Sequence, residues 1–254
     1  WDARTPQGWQ ELVEHMDALV NLAGENIGGG PWTARRKKRI LESRVHAGQA
    51  IVAACEQATQ RPQVVLQASA VGYYGPTGDQ ILDEESPPGN DFQSKVCMAW
   101  EGATQPVEAL GIRRVVVRTG LVLAPKGGFL TPLLLQYRLF AGGPLGSGRQ
   151  WWPWIHLADQ IAAMEYLLFR ADAWGAYNLC APNPVRMADF GRELARALRR
   201  PYWLPAPAFG LKLLLGEMST LILNGQRAVP LKLLQSGYSF QFEQLGRALR
   251  NVLS

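Results

Sequence analysis

The segment Ser69–Gly75, which reads SAVGYYG, carries side chains that could do chemistry on a small substrate. The Ser69 hydroxyl can hydrogen-bond a substrate carbonyl or hydroxyl. Tyr73 or Tyr74 can act as an acid or base when a nearby cation lowers its pKa. Lys95, near the start of the next helix, is the candidate cation. A tyrosine pair also packs readily in a core with its hydroxyls satisfied, so that alternative stays open.

Small residues end three apolar runs of the sequence. The first run ends in Leu22-Ala23-Gly24, the second continues into Ser69-Ala70, and the third ends in Thr119-Gly120. Ligands of open α/β sheets lie beyond the carboxyl ends of the strands. One such end alone would only allow a tight turn. Three together favour a site in which a flat ligand lies across the sheet edge.

Strand-like and helix-like segments alternate through the first two-thirds of the chain. The pattern predicts strands at Asp17–Ala23, Gln63–Ala70, Arg113–Thr119 and Ala176–Cys180, and helices at Thr33–Glu56, Phe92–Leu110, Leu130–Phe140 and His156–Ala171. Continuous Val and Leu runs are typical of strands buried on both faces. Strand–helix–strand units with short connections predict an α/β fold with a parallel sheet and helices on both faces.

The second half of the chain differs in composition and in its predicted secondary structure. After Leu123 the sequence is rich in Gly and Pro, and from Pro184 onward helical patterns dominate, at Met187–Leu198, Ala206–Leu223, Val229–Gln235 and Phe242–Leu253. We therefore predict a first domain at residues 1–123 and a smaller, mostly helical lobe at residues 124–254. Within that lobe, residues 151–181 are expected to return to the first domain.

The charge of the chain is concentrated in one basic run. The net charge is +5, and Arg35–Arg39 reads RRKKR. Such a run is typical of a solvated helix face, and the alternative is an anion site for a phosphate group. Nucleic-acid binding comes third, because no stacking aromatics are interleaved with the charges, and we expect no nucleic-acid partner.

The cysteines and the hydropathy pattern indicate the cellular compartment in which the protein is expected. Cys55, Cys97 and Cys180 are far apart and have no CxxC spacing, which favours buried free thiols over a metal site or a disulfide. No run approaches the ~20 apolar residues that cross a bilayer. The chain opens without the basic and apolar regions of a signal peptide. We expect a cytoplasmic protein with no metal and no membrane partner.

The segment Gly143–Asp159, GPLGSGRQWWPWIHLAD, has the composition of a loop that folds over a ligand. Its glycines allow closure, its tryptophans exclude water, and Arg149 can hold an anion. A Trp-rich hinge between lobes is the alternative. His156 lacks a neighbouring carboxylate–nucleophile pattern and is expected to be a structural hydrogen-bonding residue.

These segments, in this order, resemble the extended short-chain dehydrogenase/reductase superfamily. The likeness rests on NLAG, ASAVGYYG, VVVRTGLVLAPKGG and GPLGSGRQWWPWIHLAD. Within it the sequence is similar to the branch of YfcH-like epimerase-family proteins, through NLAGENI, PWTARRKKRILESR, SKVCMAWE, NLCAPNPVRMADFGREL and LLGEMSTLILNGQRAVP. The resemblance covers essentially the whole chain.

The resemblance implies a Rossmann-type, doubly wound NAD(P)-binding domain with a small C-terminal lobe, and NADP(H) rather than NAD as the cofactor. When the family's cofactor contacts are carried over by position, they fall on Leu22, Ala23, Gly24, Arg39, Arg44, Ala68 and Val122. Ser69 would occupy the superfamily's Ser/Thr position, with a small hydroxyl- or carbonyl-bearing molecule as the substrate. A homodimer is expected by analogy only.

Two departures from the superfamily pattern matter. The Tyr-x-x-x-Lys pair corresponds to Asp91–Lys95, so the lysine is present but an aspartate stands at the tyrosine position. The glycine-rich G-x-x-G-x-x-G loop, which cradles the pyrophosphate, is not found in the sequence. Trp1-Asp2 resembles the stretch just past the first βαβ unit, so we expect that unit to precede it in the full-length protein. A chain without the unit is expected to bind NADP(H) weakly.

Two functions therefore compete. The first is an NADP(H)-dependent oxidoreductase or epimerase-like enzyme that transfers hydride, with Ser69 positioning the substrate oxygen. The second is a non-catalytic NADP(H)-binding or scaffold protein that has lost the tyrosine.

Overall fold

The central sheet contains four parallel strands. The computed structural model describes residues 2–254. The described chain contains the strands β1 (Ala18–Asn21), β2 (Val64–Ala70), β3 (Ile81–Leu82), β4 (Arg113–Thr119), β5 (Leu121–Leu123), β6 (Trp151–Trp152), β7 (Trp154–His156), β8 (Gly175–Leu179), β9 (Val185–Arg186) and β10 (Arg227–Ala228). The sheet order is β1-β2-β4-β8. The α/β prediction is confirmed.

Helices cover both faces of this sheet. The α-helices of the described chain are α1 (Ala34–Gln57), α2 (Phe92–Ala103), α3 (Leu130–Arg138), α4 (Leu157–Phe169), α5 (Met187–Leu198), α6 (Ala208–Leu215), α7 (Thr220–Leu223), α8 (Leu231–Gln235) and α9 (Leu245–Leu253), of which α1 and α2 lie on one face of the sheet and α4 and α8 on the other. Val64 and Leu66 of β2 pack with α4, whereas Val65 packs with α1. This alternation follows from the two-residue period of a strand. It puts Ser69 on the α1 and α2 face.

The register of the sheet aligns three polar residues across that face. Ser69 of β2 pairs with Arg118 of β4, and Arg118 pairs with Asn178 of β8. All three are buried. Burying polar side chains in an otherwise apolar sheet is unfavourable unless each one forms a hydrogen bond or an ion pair. The residues that form these bonds therefore define the candidate site.

Two predicted helices are interrupted. The segment predicted as Phe92–Leu110 is helical to Ala103 and continues as a 3-10 helix at Gln105–Leu110, because Pro106 has no N–H to donate to an α-helical bond. The segment Ala206–Leu223 splits into α6, a 3-10 turn and α7 at Gly216, whose φ of 58° breaks the helix.

The C-terminal residues form a second core. Phe190, Leu194 and Leu249 pack with Tyr137 and Trp154, which joins α3, α5 and α9. Short strand pairs connect this core to the sheet: β10 pairs with β3, β5 with β7, and β6 with β9. Among residues 2–254, no helix is long and apolar enough to cross a membrane.

Candidate functional site

The first strand ends in a loop whose shape is fixed by its own side chains. Asn21 donates from Nδ2 to Gln67 Oε1 at 2.8 Å and accepts from the Ala23 N–H at 3.2 Å. Leu22 is 62% exposed. The residues after β1 therefore offer an apolar side chain and open backbone at the carboxyl edge of the sheet, which suits a flat ligand.

Arg44 supports this loop from behind. It is buried, and its Nη1 donates to the carbonyls of Glu25 (3.1 Å) and Ile40 (2.9 Å). A Cβ on Gly24 would lie 3.0 Å from the Arg44 Cζ, so glycine allows the close approach. Burial lowers the pKa of Arg44. Arg44 shapes the loop, and its direct contact with a cofactor stays a prediction.

The basic run is shared between structural contacts and solvent. Arg39 and Arg36 both contact the Glu25 carboxylate, at 3.1 and 3.2 Å, and Arg39 keeps half of its side chain exposed. Lys37 pairs at 2.8 Å with Glu217, in the 3-10 turn between α6 and α7. Arg35 is exposed, with no polar partner in the described part of the chain. Two guanidinium groups thus lie beside the loop that follows β1.

Ser69 belongs to a buried ion-pair network. Its hydroxyl donates to Glu101 Oε1 at 2.6 Å. Arg118 binds both carboxylate oxygens of Glu101, from Nε at 2.9 Å and from Nη2 at 3.0 Å. The Arg118 pKa is raised: hydrogen bonds and charge from Glu101 overcome the opposing effect of burial. The carboxylate therefore holds the serine hydroxyl in one orientation.

The two tyrosines have different environments. The Tyr74 hydroxyl donates to Asn178 Oδ1 at 2.7 Å and accepts from Arg118 at 3.1 Å. Burial raises the pKa of Tyr74. The expectation of a lowered pKa is wrong for Tyr74, because desolvation outweighs the neighbouring cation. The ring of Tyr73 lies 3.5 Å from the Arg118 Cζ, and its hydroxyl has no hydrogen-bond partner among residues 2–254.

The cation next to these tyrosines is Arg118 rather than Lys95. Lys95 is exposed on α2, and within the described chain it makes no ion pair. Asp91, at the position where the superfamily has tyrosine, caps α2: its Oδ1 accepts from the Ser94 N–H at 2.8 Å. Asp91 thus satisfies a free N–H at the helix start, as its residue type favours.

The remaining predicted cofactor residues lie near the same edge. Ala68 is buried in β2, one residue before Ser69. Val122 is half-buried in β5 and packs against the core on the α4 side. Ser69 and the tyrosines share the α2 side of the sheet with Arg118, whereas Ala68 points to the α4 side, on which Val122 also packs.

A cavity of about 310 Å³ opens beside Tyr74. Its lining is Tyr74, Pro76, Thr77, Gln80, Leu82, Pro87, Pro88, Gly89 and Asn90. The volume is at the lower end of the range for small-molecule sites. The Thr77 hydroxyl is buried without a hydrogen-bond partner, so the cavity wall carries an unused polar group.

Sequence reasoning missed Glu101, Arg118, Asn178 and Glu84. Glu84 accepts from the Asn178 N–H at 3.0 Å and the Lys232 N–H at 3.2 Å. Burial raises the Glu84 pKa. The available signal was the charged residue in the otherwise apolar run VVVRT, because a buried arginine requires a buried anion.

His156 is the N-cap of α4, which confirms a structural hydrogen-bonding role. Its Nδ1 accepts from the Ala158 N–H at 3.0 Å, and its ring stacks on Phe242 with centroids 3.9 Å apart. Burial lowers the pKa of His156, although Asp159 opposes the shift. The folded protein therefore takes up this proton at a lower pH than the unfolded chain.

This difference predicts a pH dependence of stability. As the pH falls below the ordinary histidine value of 6.5, the unfolded state is protonated first, and the free energy of unfolding should fall. His156→Asn keeps a capping oxygen but cannot titrate, so urea unfolding between about pH 7.5 and 5 should show a shallower decline. His15→Asn, at an exposed histidine, is the control. An unchanged slope in His156→Asn would contradict the prediction.

A parallel sheet covered by helices on both faces, with small residues at its carboxyl edge, defines a Rossmann-type α/β protein. A model of the NAD-dependent epimerase/dehydratase family matches residues 1–180, and a model of a domain of unknown function, DUF1731, matches residues 206–252. The chain belongs to the NAD-dependent epimerase/dehydratase family.

Two relatives are similar to this chain over at least four-fifths of their length, and a third over about half. Epimerase family protein YfhF of Bacillus subtilis (strain 168) is 42% identical over 246 residues, which cover 96% of this chain and 80% of YfhF. The crystal structure of human epimerase family protein SDR39U1 (isoform2) with NADPH has a TM-score of 0.90 at 35% identity, covering 96% of this chain and 85% of that one. A nucleoside-diphosphate sugar epimerase from Corynebacterium glutamicum has a TM-score of 0.80 at 35% identity, covering 100% of this chain and 49% of that one.

Proposed function

We propose that this protein is an NADP(H)-dependent oxidoreductase or epimerase-like enzyme acting on a small hydroxyl- or carbonyl-bearing substrate. The observation that carries the proposal is the buried Ser69–Glu101–Arg118 network at the carboxyl edge of a parallel sheet. A buried ion pair adds little net stability, which favours a role for this one in orienting the serine hydroxyl. The human relative solved with NADPH supports the choice of cofactor.

The residues beyond β1 fit a dinucleotide. Leu22, Ala23 and Gly24 would lie against it, with Ala68 and Val122 as further predicted contacts. Arg39 keeps an exposed guanidinium beside the Glu25 loop, where it would hold the 2′-phosphate that NADPH carries and NADH lacks. In this proposal residues 1–123 and 151–181 form the cofactor side, and the rest of 124–254 covers the substrate. A homodimer stays a prediction.

Ser69 would position the substrate oxygen. Its only proton is donated to Glu101, so its lone pairs remain to accept a hydrogen bond from a substrate hydroxyl. The bound nicotinamide would supply the hydride chemistry. Tyr73, whose hydroxyl has no partner in the part of the chain that the structure describes, is a better proton donor than Tyr74. The cation beside Tyr73 is Arg118, whose Cζ lies 3.5 Å from the centroid of the Tyr73 ring, and not the sequence candidate Lys95.

The alternative is a non-catalytic NADP(H)-binding protein. It is favoured by Asp91, which caps α2 at the position where the superfamily has its tyrosine. NADPH consumption with a panel of ketones and sugars separates the two functions. Turnover that is lost in Ser69→Ala supports the enzyme. Tight NADPH binding without any turnover supports the alternative.

The cofactor proposal predicts a specific loss of affinity in Arg39→Gln. Removing a charge-assisted contact to phosphate should weaken NADPH binding by the full-length protein on the order of 10-fold. NADH binding should change little. Isothermal titration calorimetry with both cofactors measures the difference.

Arg35→Gln is the matched control, because Arg35 is exposed in the same helix and has no partner in the described structure. It should leave both affinities unchanged. Absence of NADPH binding by the full-length wild-type protein would overturn the proposal. Equal losses for NADPH and NADH would remove Arg39 as the phosphate contact.

A further inference from the structure

Two arginines contact the same tryptophan at the junction of the two parts of the molecule. The guanidinium carbon of Arg186 lies 4.4 Å from the centroid of the Trp151 ring, and that of Arg227 lies 4.5 Å from it. The three residues come from β6, β9 and β10. Cation–π contacts hold such groups in place without neutralising their charge.

The charge at this point is not balanced by carboxylates. Asp79 accepts from Trp151 Nε1 and from Arg186, both at 2.8 Å. Hydrogen bonds from Trp151 and Arg186 lower the pKa of Asp79. Arg227 makes no hydrogen bond and no ion pair within residues 2–254. One carboxylate therefore faces two guanidinium groups.

A third cation, Arg149, lies two residues before Trp151 in the sequence. Arg186 also donates from Nη1 to the Arg149 carbonyl, which fixes the Arg149 backbone beside the pair. The Arg149 side chain is exposed, and among the described residues it has no ion-pair partner. Positive charges held close together repel one another, and this repulsion destabilises the folded protein unless a bound anion neutralises it.

The cluster adjoins the cavity beside Tyr74. Pro76, Thr77 and Gln80 line that cavity, and Asp79, which precedes Gln80 in the same loop, is the hydrogen-bond partner of Trp151 and Arg186. Tyr74, in the cavity wall, accepts from Arg118 of the Ser69 network. The cavity therefore borders both Tyr74, the partner of Arg118, and the loop whose Asp79 contacts Arg186.

We propose that Arg186 and Arg227, with Arg149 beside them, form a binding site for an oxyanion group, phosphate or carboxylate, of the substrate. The inference rests on the proposed function, because it assigns a substrate class to the same site. Guanidinium groups bind such oxyanions in a bidentate manner, and aromatic contact holds them in position. The substrate is then a small anionic molecule whose body occupies the cavity of about 310 Å³.

The Trp151 indole N–H reports on the site, because it donates to Asp79 inside the cluster. Its signal in a ¹H–¹⁵N spectrum of full-length ¹⁵N-tryptophan-labelled protein is assigned with Trp151→Phe. Inorganic phosphate and acetate are titrated separately at constant ionic strength. We expect a saturable shift of this signal with at least one of the two probes, and the tighter probe identifies the group. A shift that does not saturate, or that sodium chloride reproduces, would overturn the proposal.

Arg227→Gln should weaken the response to the tighter probe about 10-fold or more, as expected for a lost charge-assisted contact. Arg138→Gln is the matched control: Arg138 is exposed on α3 and has no polar partner in the described chain. Equal responses in both variants would also overturn the site. NADPH titration of the wild-type full-length protein keeps the two proposals apart. If NADPH binding fails while the indole shift persists, the proposed function alone is wrong.

Discussion

Replacing Arg118 by methionine should destabilise the folded protein by about 3–5 kcal/mol, the cost of leaving a buried partner charge unpaired. The Arg118 and Glu101 side chains are only 6% and 13% exposed, so water cannot compensate for the loss. Arg118 is also a hydrogen-bond donor to Tyr74 and to the Glu84 carbonyl. Urea unfolding at pH 7 measures the change.

Two further variants show whether burial is the cause. The double variant Arg118→Met, Glu101→Gln removes both charges and should recover much of the stability, because no isolated ion remains. Arg192→Met breaks an exposed pair with Asp189, whose side chains are 50% and 54% exposed, and should cost at most about 1 kcal/mol. If Arg118→Met lowers the free energy of unfolding no more than Arg192→Met does, the Ser69–Glu101–Arg118 network does not stabilise the edge of the sheet.

The parallel sheet was predictable because its determinants are local. Runs such as QVVLQASA and RRVVVRT combine β-branched residues with abrupt ends at small residues. Helix α1 shows its apolar spacing, and Gly48 within it allows close packing, since a Cβ there would lie 2.6 Å from Ala103 Cβ. Each of these signals lies within one element, which is why sequence reasoning found them.

The polar partners were not predictable because they depend on register and packing. Arg118 reads as one charged residue in a strand, and Glu101 as one residue of a helix. Their contact becomes evident only when β4 is aligned with β2 and α2 lies over both. The arginine cluster at Trp151 likewise draws on β6, β9 and β10, whose ranges are two residues each and carry no periodic signal.

Ser69 combines a feature that could be predicted from the local sequence with one that depends on packing. A hydroxyl at a strand end marks a possible site, so Ser69 could be selected from sequence. Its orientation could not, because that is set by a carboxylate 32 residues further along the chain. The same holds for the tyrosines: their position was readable, but the burial that raises the Tyr74 pKa was not.

Gly225→Ala should cost roughly 3 kcal/mol or more, because the contact at Gly225 is with backbone that cannot rotate away. A Cβ at Gly225 would lie 1.9 Å from the carbonyl oxygen of Trp151 and 2.9 Å from its N and C atoms. Relief requires β6 to move from the segment that carries Arg227. The substitution should therefore reduce the response of the Trp151 indole to the oxyanion probe as well as the stability.

Gly102→Ala is the control, because Gly102 lies within α2 with open space around its Cα. Alanine there should stabilise the protein by up to about 1 kcal/mol through its higher helix propensity. Urea unfolding of both variants gives the comparison. A Gly225→Ala protein as stable as wild type would mean that β6 and β10 separate at little cost. The junction would then be too loose to hold Arg186 and Arg227 on Trp151, and the oxyanion site would lose its preorganisation.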